Sequence, residues 1–83
     1  MAGKTQKRVL IYSTPTCHFC HMAKDFFDEN GVKYENYDVS IDMARRKEMM
    51  EKSGQMGVPV IVIGDEMVIG FDEDRIKEKM GIK

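Results

Sequence analysis

The stretch VLIYSTPTCHFCHMAKDFFDENGV, residues 9–32, decides the fold because it predicts one strand followed directly by one helix. Residues 8–13, RVLIYS, are rich in β-branched, aliphatic and aromatic side chains, and the TPT that follows is typical of a turn after a buried strand. From Cys17 onward, four apolar residues recur at helical spacing: Phe19, Met22, Ala23 and Phe26. Asn30-Gly31 supplies a helix stop, so the pattern predicts a helix of about three turns that begins at Cys17.

The next segment predicts a second strand and a second helix. Residues 32–40, VKYENYDVS, are typical of a strand with Tyr37 and Val39 on one face. Residues 43–54, MARRKEMMEKSG, predict a helix that ends at Gly54. Its apolar stripe is thin and consists of Met43, Met50 and Ala44. We therefore expect this helix to pack along one edge only.

The C-terminal part of the chain predicts a hairpin and a short helix. Residues 58–70, VPVIVIGDEMVIG, contain two apolar runs separated by GDE, in which Gly64 and Asp65 supply turn chemistry. Pro59 lacks a backbone donor, so the start of the third strand has to lie at an edge or in a special loop. Residues 72–83 are acidic at the front and basic behind, which suits the dipole of a terminal amphipathic helix.

These elements give the order β-α-β-α-β-β-α in a single domain of the α/β class, residues 1–83. The strand, helix and strand at the start imply a parallel pair with a right-handed crossover. Because the hairpin adds two antiparallel strands, we expect a four-stranded mixed sheet flanked by three helices. Residues 1–7 are expected to form a frayed terminus.

Charge and composition exclude several classes of partner. The chain carries 13 basic and 14 acidic side chains, for a net charge of -1, and the two signs are interleaved. This balance gives no electrostatic reason to expect nucleic-acid binding. The apolar run before Ser13 is too short for a signal peptide or a membrane span. We therefore expect a cytoplasmic monomer without nucleic-acid or membrane partners.

The chain has two cysteines, Cys17 and Cys20, in a Cys-x-x-Cys pair. A permanent cross-link over such a short loop is disfavoured in a reducing compartment and would constrain the unfolded chain little. At a helix start, Cys17 lies near unpaired backbone N–H groups and the positive end of the helix dipole, which favour the thiolate. Cys20, one turn later, can attack a mixed disulfide formed on Cys17. The pattern favours a reactive dithiol.

Other interpretations of the pair stay open on the residues alone. CHFCH matches the pattern of covalent haem attachment, although a strand before it and a hairpin after it are untypical of that context. Zinc could use the cysteines with His18 or His21, but ligands crowded on one helical turn cannot surround an ion tetrahedrally. The cysteines could also be small core residues. His18 is either a group that tunes the pKa of Cys17 or a solvated spacer.

With the motif and the element order in place, the chain resembles a glutaredoxin, a family with the thioredoxin-like fold. The resemblance covers nearly the whole chain and rests on residues 9–32, on ARRKEMMEKSG in residues 44–54, and on VPVIVIGDEMVIGFD in residues 58–72. It implies a thiol–disulfide oxidoreductase that reduces protein or small-thiol disulfides. In that family pattern, Cys17 is the attacking cysteine and Cys20 the resolving one.

The resemblance also implies a substrate site around the cysteines. Val58-Pro59 matches the family's cis-proline loop, whose backbone can pair with an extended substrate segment. Gly70 matches the glycine that ends the fourth strand, and Asp72 lies near the start of the last helix, where backbone N–H groups can hold a substrate carboxylate. Phe19, between the cysteines, is either a core residue or a cover over the sulfurs.

Two departures from the family pattern bear on the electron donor. Thr14 stands where glutathione-using members carry a lysine or arginine, and Phe71 stands where they carry a second glycine. These changes remove a cation for the carboxylate of glutathione and add bulk where its backbone would lie. GFD resembles instead the redoxins that serve ribonucleotide reductase and draw electrons from a thioredoxin reductase. The expected donor is therefore glutathione or a thioredoxin reductase, with no bound cofactor or metal. A shared iron–sulfur cluster is the alternative binding function.

Overall fold

The opening segment folds as predicted into a strand, β1 (Val9–Ser13), and a helix, α1 (His18–Glu29). The computed structural model describes residues 7–81, and its other elements follow in the predicted order. They are β2 (Glu35–Asp38), α2 (Met43–Ser53), β3 (Val60–Ile63), β4 (Glu66–Ile69) and α3 (Glu73–Met80). The predicted frayed terminus, residues 1–7, lies outside the described residues except for Lys7.

The four strands form one mixed sheet in the order β2-β1-β3-β4. β1 is parallel to β2 and antiparallel to β3, and β3 and β4 form the predicted hairpin. β2 is shorter than predicted, because only residues 35–38 are in register with β1. β1, β2 and β4 end on the side of the sheet where β3 begins. The loops 14–17, 39–42, 54–59 and 70–72 therefore gather at one end of the sheet, which we call the Cys17 end.

The central strand β1 is buried on both faces of the sheet. Val9 and Ile11 belong to one core cluster, and Leu10 and Tyr12 belong to the other. The first cluster is covered by α1 and α3, whose buried side chains there are Ala23, Phe26, Phe27 and Ile76. The second is covered by α2, which contributes Met49. Helices therefore cover both faces, as predicted.

The predicted apolar face of α1 is wrong at two positions. Phe19 is 56% exposed and Met22 is 38% exposed, whereas Cys20 and Phe27 are buried. The rotation of the helix explains the difference. With Cys17 as the N-cap, the stripe through Cys20 and Phe27 faces the sheet, and Phe19 and Met22 lie on the neighbouring stripe.

The predicted stripe of α2 is also wrong, although the helix does pack along one edge. Met43 and Met50 are 54% and 40% exposed, and the buried methionine is Met49, at 1%. The hydroxyl of Tyr12 donates a hydrogen bond to the carboxylate of Glu48, so α2 meets β1 through the face that carries Glu48 and Met49. Because this contact joins residues far apart in the chain, the spacing of methionines could not indicate it.

Candidate active site

The two thiols differ in exposure. Cys17 is the N-cap of α1, and its Sγ accepts a hydrogen bond from the backbone N–H of Cys20 at 3.1 Å. Cys17 is half-buried and Cys20 is buried, and both are free thiols. The structure thus places one sulfur at the start of the helix, where it can be reached, and the other beneath it.

The environment of Cys20 disfavours its ionisation. Burial is the largest cause and the hydrogen bond with Cys17 the next, and together they raise the pKa of the Cys20 thiol to about 12. The backbone of Thr14 and the charge of Lys24 act in the opposite direction with smaller effect. Cys20 therefore keeps its proton at neutral pH, and Cys17 is the thiol available for reaction.

The loop before Cys17 is tied to the first turns of α1. The backbone N–H of Cys17 donates to the carbonyl of Thr14 at 3.3 Å, and that of His21 donates to the carbonyl of Cys17 at 3.2 Å. The ring of His21 also reaches back, with Nε2 at 2.8 Å from the carbonyl oxygen of Pro15. Since a carbonyl only accepts, Nε2 carries the proton. This contact could not be predicted from the sequence, because it depends on how the turn closes.

The Val58-Pro59 peptide bond is cis, as the resemblance implied. The carbonyl oxygen of Val58 lies 3.8 Å from Cys17 Sγ and accepts from the thiol. β3 begins only at Val60, so the missing N–H of Pro59 falls before the strand. The N–H of Gly70 donates to the carbonyl of Pro59 at 2.8 Å, which brings the end of β4 next to the cis peptide.

The connection from β4 to α3 passes beside this site. Gly70 has a φ of 85°, a conformation that residues with a Cβ rarely adopt. Phe71 packs edge-on against Phe26, with 6.0 Å between ring centroids. Asp72 is the N-cap of α3, and its carboxylate accepts from the N–H of Arg75 at 3.2 Å. Asp72 therefore already occupies one of the N–H groups that the sequence analysis offered to a substrate carboxylate.

Phe19 and His18 form a ring pair on the exposed side of the helix start. Their centroids are 5.5 Å apart in an edge-on arrangement. Phe19 is exposed, so it is not a core residue, and its role as a cover over the sulfurs stays a prediction. The ring of His18 contacts Phe19. An effect of His18 on the Cys17 thiol stays a prediction.

A cleft of about 310 Å³ lies beside Val58 at the Cys17 end. Its lining residues are Thr14, Val39, Ser40, Arg46, Met49, Met56 and Val58. Arg46 lines the same cleft as Thr14, so this cleft contains a cation although position 14 carries no lysine or arginine. Arg46 and Met56 were missed because they approach Thr14 only through the folding of α2 and the loop after it.

A model of the glutaredoxin family matches residues 9–68, which include both cysteines and the cis proline. The chain belongs to the glutaredoxin family. An uncharacterised glutaredoxin-like 8.6 kDa protein in the rubredoxin operon of Clostridium pasteurianum is 38% identical over 74 residues, covering 86% of this chain and 99% of the relative.

Solved structures of similar proteins agree with this family assignment. A mutant of the thioredoxin-like protein BC3987 matches with a TM-score of 0.87 at 31% identity, covering 93% of this chain and 99% of that one. The glutaredoxin-like protein NrdH-redoxin from Escherichia coli, described as having a thioredoxin-like activity profile, matches with a TM-score of 0.76 at 28% identity. This match covers 86% of this chain and 92% of the NrdH-redoxin chain. These matches confirm the predicted thioredoxin-like fold.

The zinc interpretation has little support from the geometry of its candidate ligands. His21 Nε2 is engaged by Pro15, and Cys20 is buried with a raised pKa. Within residues 7–81, no group of three or more His, Cys, Asp or Glu side chains is arranged to hold a metal ion.

The helices in residues 7–81 also bear on whether this part of the chain could span a membrane. None of them has the length and apolar character that such a span requires.

Proposed function

We propose that this protein is a dithiol thiol–disulfide oxidoreductase, in which Cys17 attacks the disulfide of a protein or small thiol and Cys20 resolves the product. The observation that carries the proposal is the unequal state of two thiols one helical turn apart. Cys17 is accessible at the helix start, where backbone N–H groups can hold negative charge. Cys20 is buried and holds its proton. Membership in the glutaredoxin family supports the same chemistry.

The reaction transfers two electrons in two exchange steps. The Cys17 thiolate attacks one sulfur of the target disulfide, which forms a mixed disulfide and releases the other target sulfur as a thiolate. Cys20 then loses its proton to solvent and attacks Cys17 Sγ, which forms the Cys17–Cys20 disulfide and releases the second target thiolate. The target is reduced to two thiols, and the protein is oxidised until a donor returns two electrons.

The hydrogen bond between the cysteines can time the second step. After burial, which is the largest cause, the side-chain hydrogen bond between the two thiols and the charge of Cys17 both raise the pKa of Cys20. In the mixed disulfide, Cys17 Sγ carries no charge, so this part of the increase is lost. Cys20 becomes easier to deprotonate at the stage that needs its thiolate.

The cis-proline loop can align the target. An extended segment pairs with the backbone of Val58 as an added strand. The carbonyl of Val58 is 3.8 Å from Cys17 Sγ, so a disulfide in that segment lies within reach of the attacking sulfur. We propose that the substrate contacts are made by Phe19, Val58, Pro59, Gly70, Phe71 and Asp72.

Two features with opposite consequences bear on the electron donor. Arg46 lines the cleft beside Val58 and can hold a carboxylate of glutathione in place of the lysine missing at Thr14. On the other side, Phe71 adds bulk, and α3 begins with three carboxylates in residues 72–74, which repel an anionic group. These carboxylates favour the second candidate, a redoxin of the ribonucleotide-reductase type reduced by a thioredoxin reductase. The likeness to NrdH-redoxin supports it.

The proposed reaction suits the cytoplasm, where thiols are kept reduced. It needs neither a bound cofactor nor a second protomer. An iron–sulfur cluster between two protomers would instead take Cys17 from each and further thiols from outside. Brown protein with visible absorption after anaerobic purification would support the cluster and contradict the dithiol proposal.

The proposal is tested by NADPH oxidation in the presence of a disulfide acceptor. One arm supplies glutathione and glutathione reductase, and the other supplies a thioredoxin reductase. Turnover in either arm supports the proposal and identifies the donor, whereas no turnover in both contradicts it. Cys20→Ser should accumulate a mixed disulfide visible by mass spectrometry, and the matched variant Cys17→Ser should form none. Arg46→Gln should raise the KM for glutathione and leave the KM for the thioredoxin reductase unchanged.

A further inference from the structure

A second groove lies on the opposite side of the Cys17 site from Arg46, between α1 and the start of α3. Its volume is about 220 Å³, and it is lined by Met22, Asp25, Phe26, Glu29, Phe71 and Glu73. The edge-on pair of Phe26 and Phe71 forms an apolar floor. Met22 extends this floor toward solvent. The groove therefore offers an apolar surface with space for a side chain from another molecule.

The rim of this groove is acidic. Asp25 and Glu29 line it from α1, and Glu73 lines it from α3. Glu73 is paired with Lys77 of its own helix at 3.0 Å, so the uncompensated charge comes mainly from the α1 side. The electrostatic potential of the groove thus favours a cationic occupant and repels an anionic one.

The groove is continuous with the proposed substrate site. Gly70, which precedes Phe71, is hydrogen-bonded to the carbonyl of Pro59. On α1, the exposed Phe19 lies one turn before Met22, so an apolar strip runs from the cysteines to the groove. A chain segment that passes Cys17 along the cis-proline loop can therefore continue into the groove.

We propose that the groove binds a basic and apolar segment that lies several residues from the target disulfide of a protein substrate. This inference rests on the proposed function and specifies its substrate class. An aliphatic or aromatic side chain of the target packs on Phe26 and Phe71, and a neighbouring lysine or arginine pairs with Asp25 and Glu29. A small anionic disulfide should gain no binding affinity from this groove, because the acidic rim repels it.

The test uses three disulfide peptides that are identical except for a tripeptide centred about five residues from one cysteine, which is Lys-Leu-Lys, Ser-Leu-Ser or Glu-Leu-Glu. This spacing matches Asp25 and Glu29, which lie about 12 and 18 Å along α1 from Cys17. With the wild type, the value of kcat/KM should be about 3- to 20-fold higher for the basic peptide than for the neutral one, as expected for two exposed ion pairs. The preference should shrink at high salt. The double variant Asp25→Asn/Glu29→Gln should lose it. The matched variant Glu51→Gln/Asp65→Asn, with the same charge change elsewhere, should keep it.

Binding without turnover separates this inference from the proposed function. Fluorescent peptides with serine in place of both cysteines are titrated against the wild type and both double variants, and anisotropy is measured. Tighter binding of the basic peptide that only Asp25→Asn/Glu29→Gln abolishes supports the groove, even if no disulfide is reduced. An equal affinity for all three peptides overturns it, and so does a preference that survives in that variant. If the variant slows only electron delivery from the reductase, the assignment to the substrate is wrong.

Discussion

The two thiols should differ strongly in their reaction with iodoacetamide, because the thiolate is the reacting species. Burial, followed by the hydrogen bond with Cys17, raises the pKa of Cys20 from 9.0 to about 12. At neutral pH this lowers its thiolate fraction about a thousandfold relative to an ordinary thiol. Even if water entering the site reduces the effect about tenfold, Cys20 should react about a hundredfold more slowly than a free cysteine.

The assay follows intact mass over time after the reduced protein is mixed with iodoacetamide at neutral pH. One label should be added to the folded protein, and peptide mapping should place it on Cys17. Burial is the largest cause of the raised pKa, and labelling of Cys17 does not remove it, so Cys20 should stay unlabelled. In concentrated guanidinium chloride, both cysteines should react. Two labels added at similar rates to the folded protein would refute the reasoning.

Further predictions concern stability, measured by urea unfolding. Met49→Ala should cost about 2–5 kcal/mol because Met49 is buried, whereas Met50→Ala should change stability by less than about 0.5 kcal/mol; equal costs would contradict the α2 packing. Tyr12→Phe should cost about 0.5–1.5 kcal/mol through the lost bond to Glu48, with no change in disulfide reduction. His21→Ala should cost about 0.5–1 kcal/mol, and His21→Gln should recover part of it by donating to Pro15. The raised pKa of Cys20 stabilises the fold below pH 9, where the unfolded thiol is also protonated, and this contribution is lost as pH rises toward 12. Cys20→Ala should lack that part of the pH dependence.

The order of elements could be predicted because each signal was local. β1 and the β3–β4 hairpin follow from apolar runs bounded by turn residues, and Asn30-Gly31 ends α1 as expected. The rotation of the helices could not be predicted in the same way. Met49 rather than Met50 is buried because α2 packs Met49 against Leu10 and Tyr12 of β1, and a contact between distant elements leaves no periodic pattern in either one.

The residues of the candidate site also fall into two groups, those that a local motif predicts and those that depend on contacts between distant elements. Cys17 and Cys20 were evident from a short motif at a predicted helix start. Val58-Pro59 was evident only through the family resemblance, because an isolated proline near a strand indicates no contact with a sulfur. Arg46 was missed, since it reaches the cleft beside Val58 only when α2 packs on its face of the sheet.

The cleft beside Val58 and the groove over Phe71 have opposite charge, and this follows from the way the helices cover the sheet. α2 covers one face and brings Arg46 to the cleft beside Val58. α1 and α3 cover the other face and bring Asp25 and Glu29 to the rim of the groove over Phe71. A target segment that pairs with Val58 and continues along α1 therefore runs from the basic cleft toward the acidic groove. If the groove binds the basic end of that segment, the opposite charges favour one direction of the bound chain. The sulfur of the target that faces Cys17 is then selected by charges several residues away from it as well as by its exposure.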